Sequence, residues 1–542
     1  MKRAHFIDVI FDELCYYYIV LIETYRKVTN FWPVIFEKIQ EKKMRKVVAS
    51  QMQLGSVDIS KIKFDSRCRD EIPQLLRGLQ YIWSNIKIRD EIFKILKGMV
   101  PPKVNIHIGR PGMELWNILV LGTIRLNCNW DYDKVHDISN NHRTIRQMLG
   151  HGILTEDYYY PLQTIKDNVS LFTPDILDKI NQVVVKAGHS LLLKKKGEDL
   201  KVRCDSFVVE TDVHYPTDIN LLFDAIRKVI FLLFSLCVKV NIGGWRESRS
   251  YIRKIKKLYR RAQNCKRSTS KDEKKKAKQK KLIIEAHKVY IDLVEVFLEK
   301  SKETIKKIRG QKPFLAVKLL EVEKYITDAE RQIDQIRRRV LKGEIIPHED
   351  KVFSIFEEHT EWICKGKAGV PQELGIRVCI LEDKYGFILH HRVMEKETDD
   401  AITVEIVKGG QERYNDLNSC SFDKGFYSPS NRKGLEELLE KVILPKKGKL
   451  SGKDKEIEEA EAFIQAKRKH SAVESAINGL ENHSLDRCCD HGIKGFKRYV
   501  AIAVLARNIQ NLGKIIHKKE VKRQKRFEKL QQRRENQTLL AA

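Results

Sequence analysis

The stretch LKVRCDSFVVETDVHYPTDINLL, residues 200–222, decides the fold class. Its first half is rich in β-branched and aromatic residues, the composition of a strand. Pro216 closes the run, and Asp218 and Asn220 stand where a following helix would find its cap. One acid, Asp205, lies inside the strand among Val202, Phe207, Val208 and Val209. A carboxylate with such neighbours is costly unless it is paired, hydrogen-bonded or bound to a cation. The plain alternative is an edge strand that turns Asp205 to water.

Working outward, the residues before this strand read as helix. Ile7, Ile10 and Phe11 recur at helical spacing, as do Ile88, Ile92, Ile95 and Leu96. Pro101 and Pro102 break the chain, and a second helical block runs from Met113 to Gly152, with more helices to about residue 190. After the strand, residues 221 to about 340 are helical again. Strand patterns return in KVFSIFEE (351–358), GIRVCILED (375–383) and GFILHHRVM (386–394), the last two joined by a tight hairpin at Lys384-Tyr385. A helix over 398–408, a short strand at 418–422 and a last strand in KVILPKK (441–447) follow, then helices over 455–469, 471–481 and 494–512. This order predicts a helix-rich, mixed α+β and α/β protein, with one sheet interrupted by a long helical insertion and preceded by a helical N-terminal region.

The chain has 542 residues, with 102 Lys and Arg against 73 Asp and Glu, a formal charge of +29. A charge of that size calls for an acidic partner, nucleic acid first and an anionic membrane second. The most apolar run, residues 229–238, is about half the length of a membrane-spanning helix. The opening MKRAHFIDVIFDELC carries acids within its apolar stretch, unlike a signal peptide. The basic excess is concentrated: residues 251–281 hold 15 Lys and Arg against two acids, and residues 514–534 hold ten against two. The first reads as a basic helical hairpin or a basic loop between helices. The imbalance exceeds what pairing along a helix can neutralise, so both segments are expected to meet phosphate. Eleven scattered cysteines without a CxxC fit a reducing compartment. The local trio Cys488, Cys489 and His491 reads as inert thiols rather than a zinc site. Trp116, Trp130 and Trp245 read as core.

Two further acids stand out. Asp423 ends a short strand before a Gly turn, the position where open α/β sheets place ligands; the ordinary reading of Asp423-Lys424-Gly425 is a turn. Glu474 borders the apolar face of a helix carrying Val473, Ile477 and Leu480; the ordinary reading of Ser471-Ala-Val-Glu474 is a capping box. Taken together, two strand acids and one helix acid suit hard divalent cations, which take oxygen ligands. Two such ions clamp both the attacking and the leaving oxygen of a phosphodiester. No GxxxxGK[ST] is present, so no Walker-type nucleotide site is expected.

Four segments carry a resemblance to bacterial insertion-sequence transposases of the DDE class. Residues 110–152, RPGMELWNILVLGTIRLNCNWDYDKVHDISNNHRTIRQMLGHG, resemble their N-terminal helical domain. RCDSFVVETDVHYPTDINLL (203–222) resembles the first catalytic strand with its PTD turn, and SFDKGFYSPSNRKGL (421–435) the segment of the second aspartate. RKHSAVESAINGLENHSLDRC (468–488), with GFKRYVAIAVLARNIQNLG (495–513) behind it, resembles the glutamate helix and its successor. The resemblance implies an RNase H-like catalytic core in residues 196–220 and 345–513, interrupted by a basic helical insertion at 221–344. A DNA-end-binding region at 1–104, the helical transposase domain at 105–195 and a basic tail at 514–542 complete it.

The resemblance makes Asp205, Asp423 and Glu474 the catalytic triad and the ligands of two Mg²⁺ ions, with Mn²⁺ substituting. Asp212 and Asp218 are rivals for the first acid. Some relatives place Tyr, Arg and Lys around the glutamate as Y-x2-R-x3-E-x6-K; here those positions hold Lys467, His470 and Glu481, with Arg468 two residues away. Arg468, Lys424, Lys446, Lys447 and Lys449 are the residues expected to face DNA. The implied activity is metal-dependent cleavage of double-stranded DNA at element ends and strand transfer of the resulting 3′-OH, by a homodimer in the cytoplasm at the nucleoid. The alternatives are a metal-dependent nuclease without strand transfer, and a non-catalytic DNA-binding derivative.

Overall fold

The computed structural model describes residues 56–65, 68, 70–100, 112–155, 157–192, 199–265, 268–311, 315–364 and 372–541. The helix expected around Ile7 to Phe11, the Pro101-Pro102 break and most of residues 1–104, the region expected to bind DNA ends, lie outside them. The chain divides into two compact units, Met1–Lys196 with Ala501–Ala542, and Gly197–Val500. Among the described residues no helix is long and apolar enough to cross a membrane, and each cysteine is a free thiol.

The first unit is helical: α1 (Glu71–Ser84), α2 (Ile86–Leu96), α3 (Leu115–Asn127), α4 (Tyr132–Asn141), α5 (Arg143–Met148), α6 (Leu162–Val169) and α7 (Pro174–Leu191). Asp70, Asn85, Asp131 and Thr173 cap their helices by accepting backbone N–H groups. Helix α3 is buried on every side, and the Trp116 indole N–H donates to the Met148 carbonyl at 2.9 Å. Residues 501–541, the latter part of a long helix introduced below, complete this unit. A Cβ at Gly78 would lie 2.1 Å from the Ile509 carbonyl oxygen, and one at Gly513 would lie 1.8 Å from that of Gln74. The two helices therefore cross backbone against backbone, a contact only glycine permits.

The second unit holds the sheet. It begins with β1 (Leu200–Thr211), then α8 (Asp218–Val240), α9 (Ser248–Asn264), α10 (Glu273–Gln311) and α11 (Ala316–Ile336). There follow β2 (Glu361–Cys364), β3 (Gln372–Asp383), β4 (Ile388–Met394), α12 (Asp399–Arg413), β5 (Leu417–Phe422), α13 (Pro429–Leu438) and β6 (Lys441–Ile443). The unit ends with α14 (Gly452–Glu459), α15 (Glu461–His470), α16 (Ala472–Leu480), β7 (Arg487–Cys488) and the start of α17 (Gly492–Ala541). The strands form one seven-stranded mixed sheet in the order β2-β3-β1-β5-β6, with β4 also on β3 and β7 also on β1. β1, β3 and β4 are antiparallel neighbours, whereas β5 and β6 run parallel to β1. The expected helix-rich mixed architecture is therefore present.

Between β1 and β2, helices α8–α11 pack around a core of their own, built on Leu222, Ile226, Leu233, Tyr290, Val294, Leu319 and Ile333. The Trp245 indole N–H donates to Thr304 Oγ1 inside this block at 3.0 Å. The insertion is thus a folded body and not a loop. Its basic stretch is a helical hairpin: Arg253, Lys254, Lys256, Lys257, Arg260 and Arg261 of α9 are all exposed, as are most of the lysines that open α10.

Several local expectations change. KVFSIFEE is irregular, because Ser354 Oγ accepts the N–H groups of Phe356 and Glu357 and draws the backbone into a turn; the strand forms just after it, at Glu361–Cys364. β1 stops at Thr211, where Val213 N–H turns back onto the Thr211 carbonyl. The cap of α8 is Thr217, whose side chain accepts the Asn220 N–H, and neither Asp218 nor Asn220. The β3–β4 connection is longer than Lys384-Tyr385: Asp383 Oδ1 accepts both Tyr385 and Phe387 N–H groups around a left-handed Gly386. The helix expected at 494–512 does not end there, since α17 continues through the basic tail as one helix to Ala541.

Candidate active site

β1 is an interior strand, flanked by β3 and β5. The edge-strand reading of Asp205 is therefore overturned, and the cost of its carboxylate has to be met otherwise. Asp205 is partly buried and pairs across the ladder with Ile380 of β3. On the other side, the parallel register of β1 and β5 sets Cys204 opposite Phe422. Asp205 follows Cys204 on β1, Asp423 follows Phe422 just past the end of β5, and neighbouring strands of a ladder stand about 4.8 Å apart. The end of β5 thus brings the two aspartates side by side.

Of the ordinary readings of the other acids, the turn at Asp423 is present, with Phe426 N–H on the Asp423 carbonyl at 3.3 Å, and the capping box at Glu474 is not. Asp423 precedes a single 3-10 turn, Lys424–Phe426, but its side chain caps nothing. Ser471 adopts helical angles and does not cap α16. Its hydroxyl donates back to the Arg468 carbonyl at 2.8 Å, because α15 runs almost directly into α16. No capping box forms and Glu474 is released from it. Val473, Ala476 and Leu480 bury the opposite face of α16, which packs on β1, and Glu474 is left exposed. Among the described residues, the carboxylates of Asp423 and Glu474 form no hydrogen bond or ion pair.

Electrostatics ties these groups together. The Asp205 carboxyl is pushed up to about 7, first by burial and then by the carboxylates of Asp423, Asp399 and Glu474, against the opposing hydrogen bond from its neighbour Ser206. That bond runs from Ser206 N–H to Asp205 Oδ1 at 2.8 Å. The nearby guanidinium of Arg203 is committed to Glu382 at 2.9 Å. The site is therefore a cluster of carboxylates, with the exposed Lys424 next in sequence to Asp423.

Asp399 carries no signal in the sequence, and His470 enters there only as the residue at a motif position. Asp399 opens α12, where an acid in the first turn reads as a complement to the helix dipole. His470 ends α15; its Nδ1 lies 3.0 Å from Ser421 Oγ. Burial lowers the His470 imidazole below its ordinary value, Arg203 adds to this, and Asp423 and Glu474 oppose it. It occupies the arginine position of the related motif, and that coincidence was the only signal available.

The remaining expected residues divide. Lys424, Lys447, Lys449 and Arg468 are exposed. Lys446 is not a free cation: Asp454 holds its ammonium at 2.5 Å and also takes Arg432 at 2.9 Å, which raises the Lys446 ammonium above its usual range. Of the rival acids, Asp218 is paired with Arg339 at 2.8 Å and Asp212 lies 3.8 Å from Arg487. Neither is among the principal charges acting on Asp205, which are Asp423, Asp399 and Glu474. Cys488 Sγ faces the Asp490 carbonyl, and His491 is engaged by Glu357 at 2.9 Å.

The donor set is all carboxylate, the ligand type a hard divalent cation takes; Asp205 is partly buried, and Asp423 and Glu474 are exposed. Among the described residues no three or more acid, His or Cys side chains are grouped so as to hold a metal ion. Asp205, Asp423 and Glu474 are the residues that would hold such an ion. No protein-family model, curated protein or solved structure matches the chain.

Proposed function

We propose that the protein is a DDE transposase with an RNase H-like core, cutting DNA and joining the freed 3′-OH to a target. The observation that carries this reading is the meeting of Asp205 with Asp423 across the β1–β5 ladder, with Glu474 near enough from α16 to act on Asp205. Two acids on adjacent parallel strands and one on a helix packed against them are the arrangement such a core requires. The basic helical hairpin of α9 and α10 and the basic half of α17 supply surfaces for the phosphate backbone.

Divalent ions bound at this site would supply charge stabilisation at the attacking and leaving oxygens. The chain's own part is positional. Asp205 is fixed by the ladder, Asp423 by the turn that follows β5, and Glu474 by the buried face of α16. Ser421 and His470 tie the end of β5 to the helix before Glu474. A largely neutral His470 beside the acids adds no positive charge to compete with a cation. Catalysis then rests on holding phosphate, water or 3′-OH in line, with little acid–base work.

The test uses supercoiled plasmid for cutting and a pre-cleaved oligonucleotide with a free 3′-OH for joining, each with Mg²⁺ or Mn²⁺. The reading expects both activities in the native protein and neither in Asp205→Asn or Asp423→Asn. Cutting without joining favours the nuclease, and DNA binding without either favours the non-catalytic derivative. Full activity of Asp205→Asn ends the proposal.

A further inference from the structure

We infer that Asp399 is a fourth acid of the same site, a positioning residue that locks the strand of Asp205 to the loop of Asp423. The inference rests on the proposed reading of that site and adds a component that the three-acid pattern does not contain. Three observations converge on it. First, Ser206, next to Asp205, donates its hydroxyl to Asp399 Oδ1 at 2.6 Å, while its backbone N–H donates to Asp205 Oδ1. One serine thus grips both acids, and the rotamer of Asp205 is set through it. Second, a Cβ at Gly425 would come within 3.2 Å of Asp399 Oδ2. The turn after Asp423 is therefore moulded against the Asp399 carboxylate, and the small residue there permits the approach.

Third, the first turn of α12 is stitched to that loop by independent bonds. Thr403 Oγ1 donates to the Asp399 carbonyl at 2.7 Å and to the Phe426 carbonyl at 3.2 Å. Asn431 Nδ2 donates to the Asp400 carbonyl at 2.6 Å and to the Phe426 carbonyl at 3.0 Å. Asp399 cannot move without dragging either β1 or the loop that carries Asp423. Its carboxylate also acts on Asp205. Groups behind the ligands of an ion orient them and tune their basicity, and removing one lowers metal affinity about 10–100-fold.

The experiment titrates the full-length protein with Mn²⁺ by calorimetry, and follows its unfolding temperature with and without EDTA. Asp399→Ala is expected to weaken Mn²⁺ binding by about 10–100-fold. Asp399→Asn, which still accepts from Ser206, is expected to recover part of that loss. Ser206→Ala breaks the grip while leaving every acid in place, and is expected to weaken binding in the same direction; it serves if Asp399→Ala fails to fold. Native-like binding by Ser206→Ala, or by a folded Asp399→Ala, overturns the inference while Asp205→Asn still loses Mn²⁺. If the native protein and Asp205→Asn bind Mn²⁺ equally poorly, the proposed function falls, and the role of Asp399 falls with it.

Discussion

His470 and Ser421 share a 3.0 Å hydrogen bond that joins the end of α15 to β5, two residues before Asp423. Four residues further along the chain, Glu474 stands on α16. The bond therefore sets the spacing between the second strand acid and the helix acid. His470→Ala is expected to lower Mn²⁺-dependent plasmid nicking about 10–100-fold, in line with losing a supporting partner of a ligand. His470→Asn, which can keep a bond to Ser421, should retain more activity than His470→Ala. Equal loss in both variants would point to a role for the ring itself.

Asp205 is held in place at the expense of the metal-free fold. Replacing it by Asn removes a partly desolvated charge facing three other carboxylates. In EDTA at pH 8, Asp205→Asn is expected to unfold at a higher temperature than the native protein. With Mn²⁺ the order should reverse, because an ion at a hundred times its dissociation constant adds about 2.7 kcal/mol to the native protein alone. Differential scanning calorimetry with and without EDTA reads both.

The sequence disclosed the acids better than their surroundings. Asp205 was visible because a carboxylate in an apolar strand conflicts with its neighbours, and Asp423 because it ends a strand at a Gly turn. Residue periodicity also located β1, β3, β4 and β5. It misplaced the strand at 351–358, where the deciding bond comes from one serine hydroxyl, and it suggested a capping box at Ser471 that the neighbouring helix α15 prevents. Asp399 was illegible because its significance depends on Ser206 and Gly425, which lie far from it in sequence. Local patterns report on neighbours along the chain, and Asp399 has its partners across the sheet.

The hairpin of α9 and α10 carries its cations on an exposed face. Replacing Lys254, Lys256, Lys257 and Arg260 together by Gln should weaken DNA binding at low salt. If all four meet phosphate, the slope of log affinity against log salt should fall by about 3.6, at about 0.9 for each contact. Filter binding or fluorescence anisotropy over a salt series measures it. An unchanged slope would remove this hairpin from the DNA surface.

Lys514 opens the basic tail but is half-buried, and burial lowers its ammonium to about 8, with Arg507 and Lys518 adding to the fall and Glu71 opposing it. The unfolded chain titrates near 10.4. Between about pH 8 and pH 10.4 the unfolded state binds more protons, so this group's contribution to stability rises with pH across that window. Below pH 8 the group imposes its full penalty. Lys514→Met is therefore expected to stabilise the protein at pH 7, by about 1 kcal/mol because water still screens the group. The gain should vanish near pH 10.5. Urea denaturation at the two pH values checks both statements.

The helical insertion separates β1 from every strand it pairs with, yet it possesses its own core. During synthesis, β1 leaves the ribosome with no partner available. The next long segment to emerge is one that can collapse alone, from contacts close in sequence. Ladder contacts between distant strands form slowly, because the chain between them must first be closed. The insertion therefore shortens the wait: a condensed helical body brings the ends of residues 212–360 nearer than a coil would. On this route the helices set first and the sheet closes around them. The acids of the proposed site are then among the last groups in the molecule to meet.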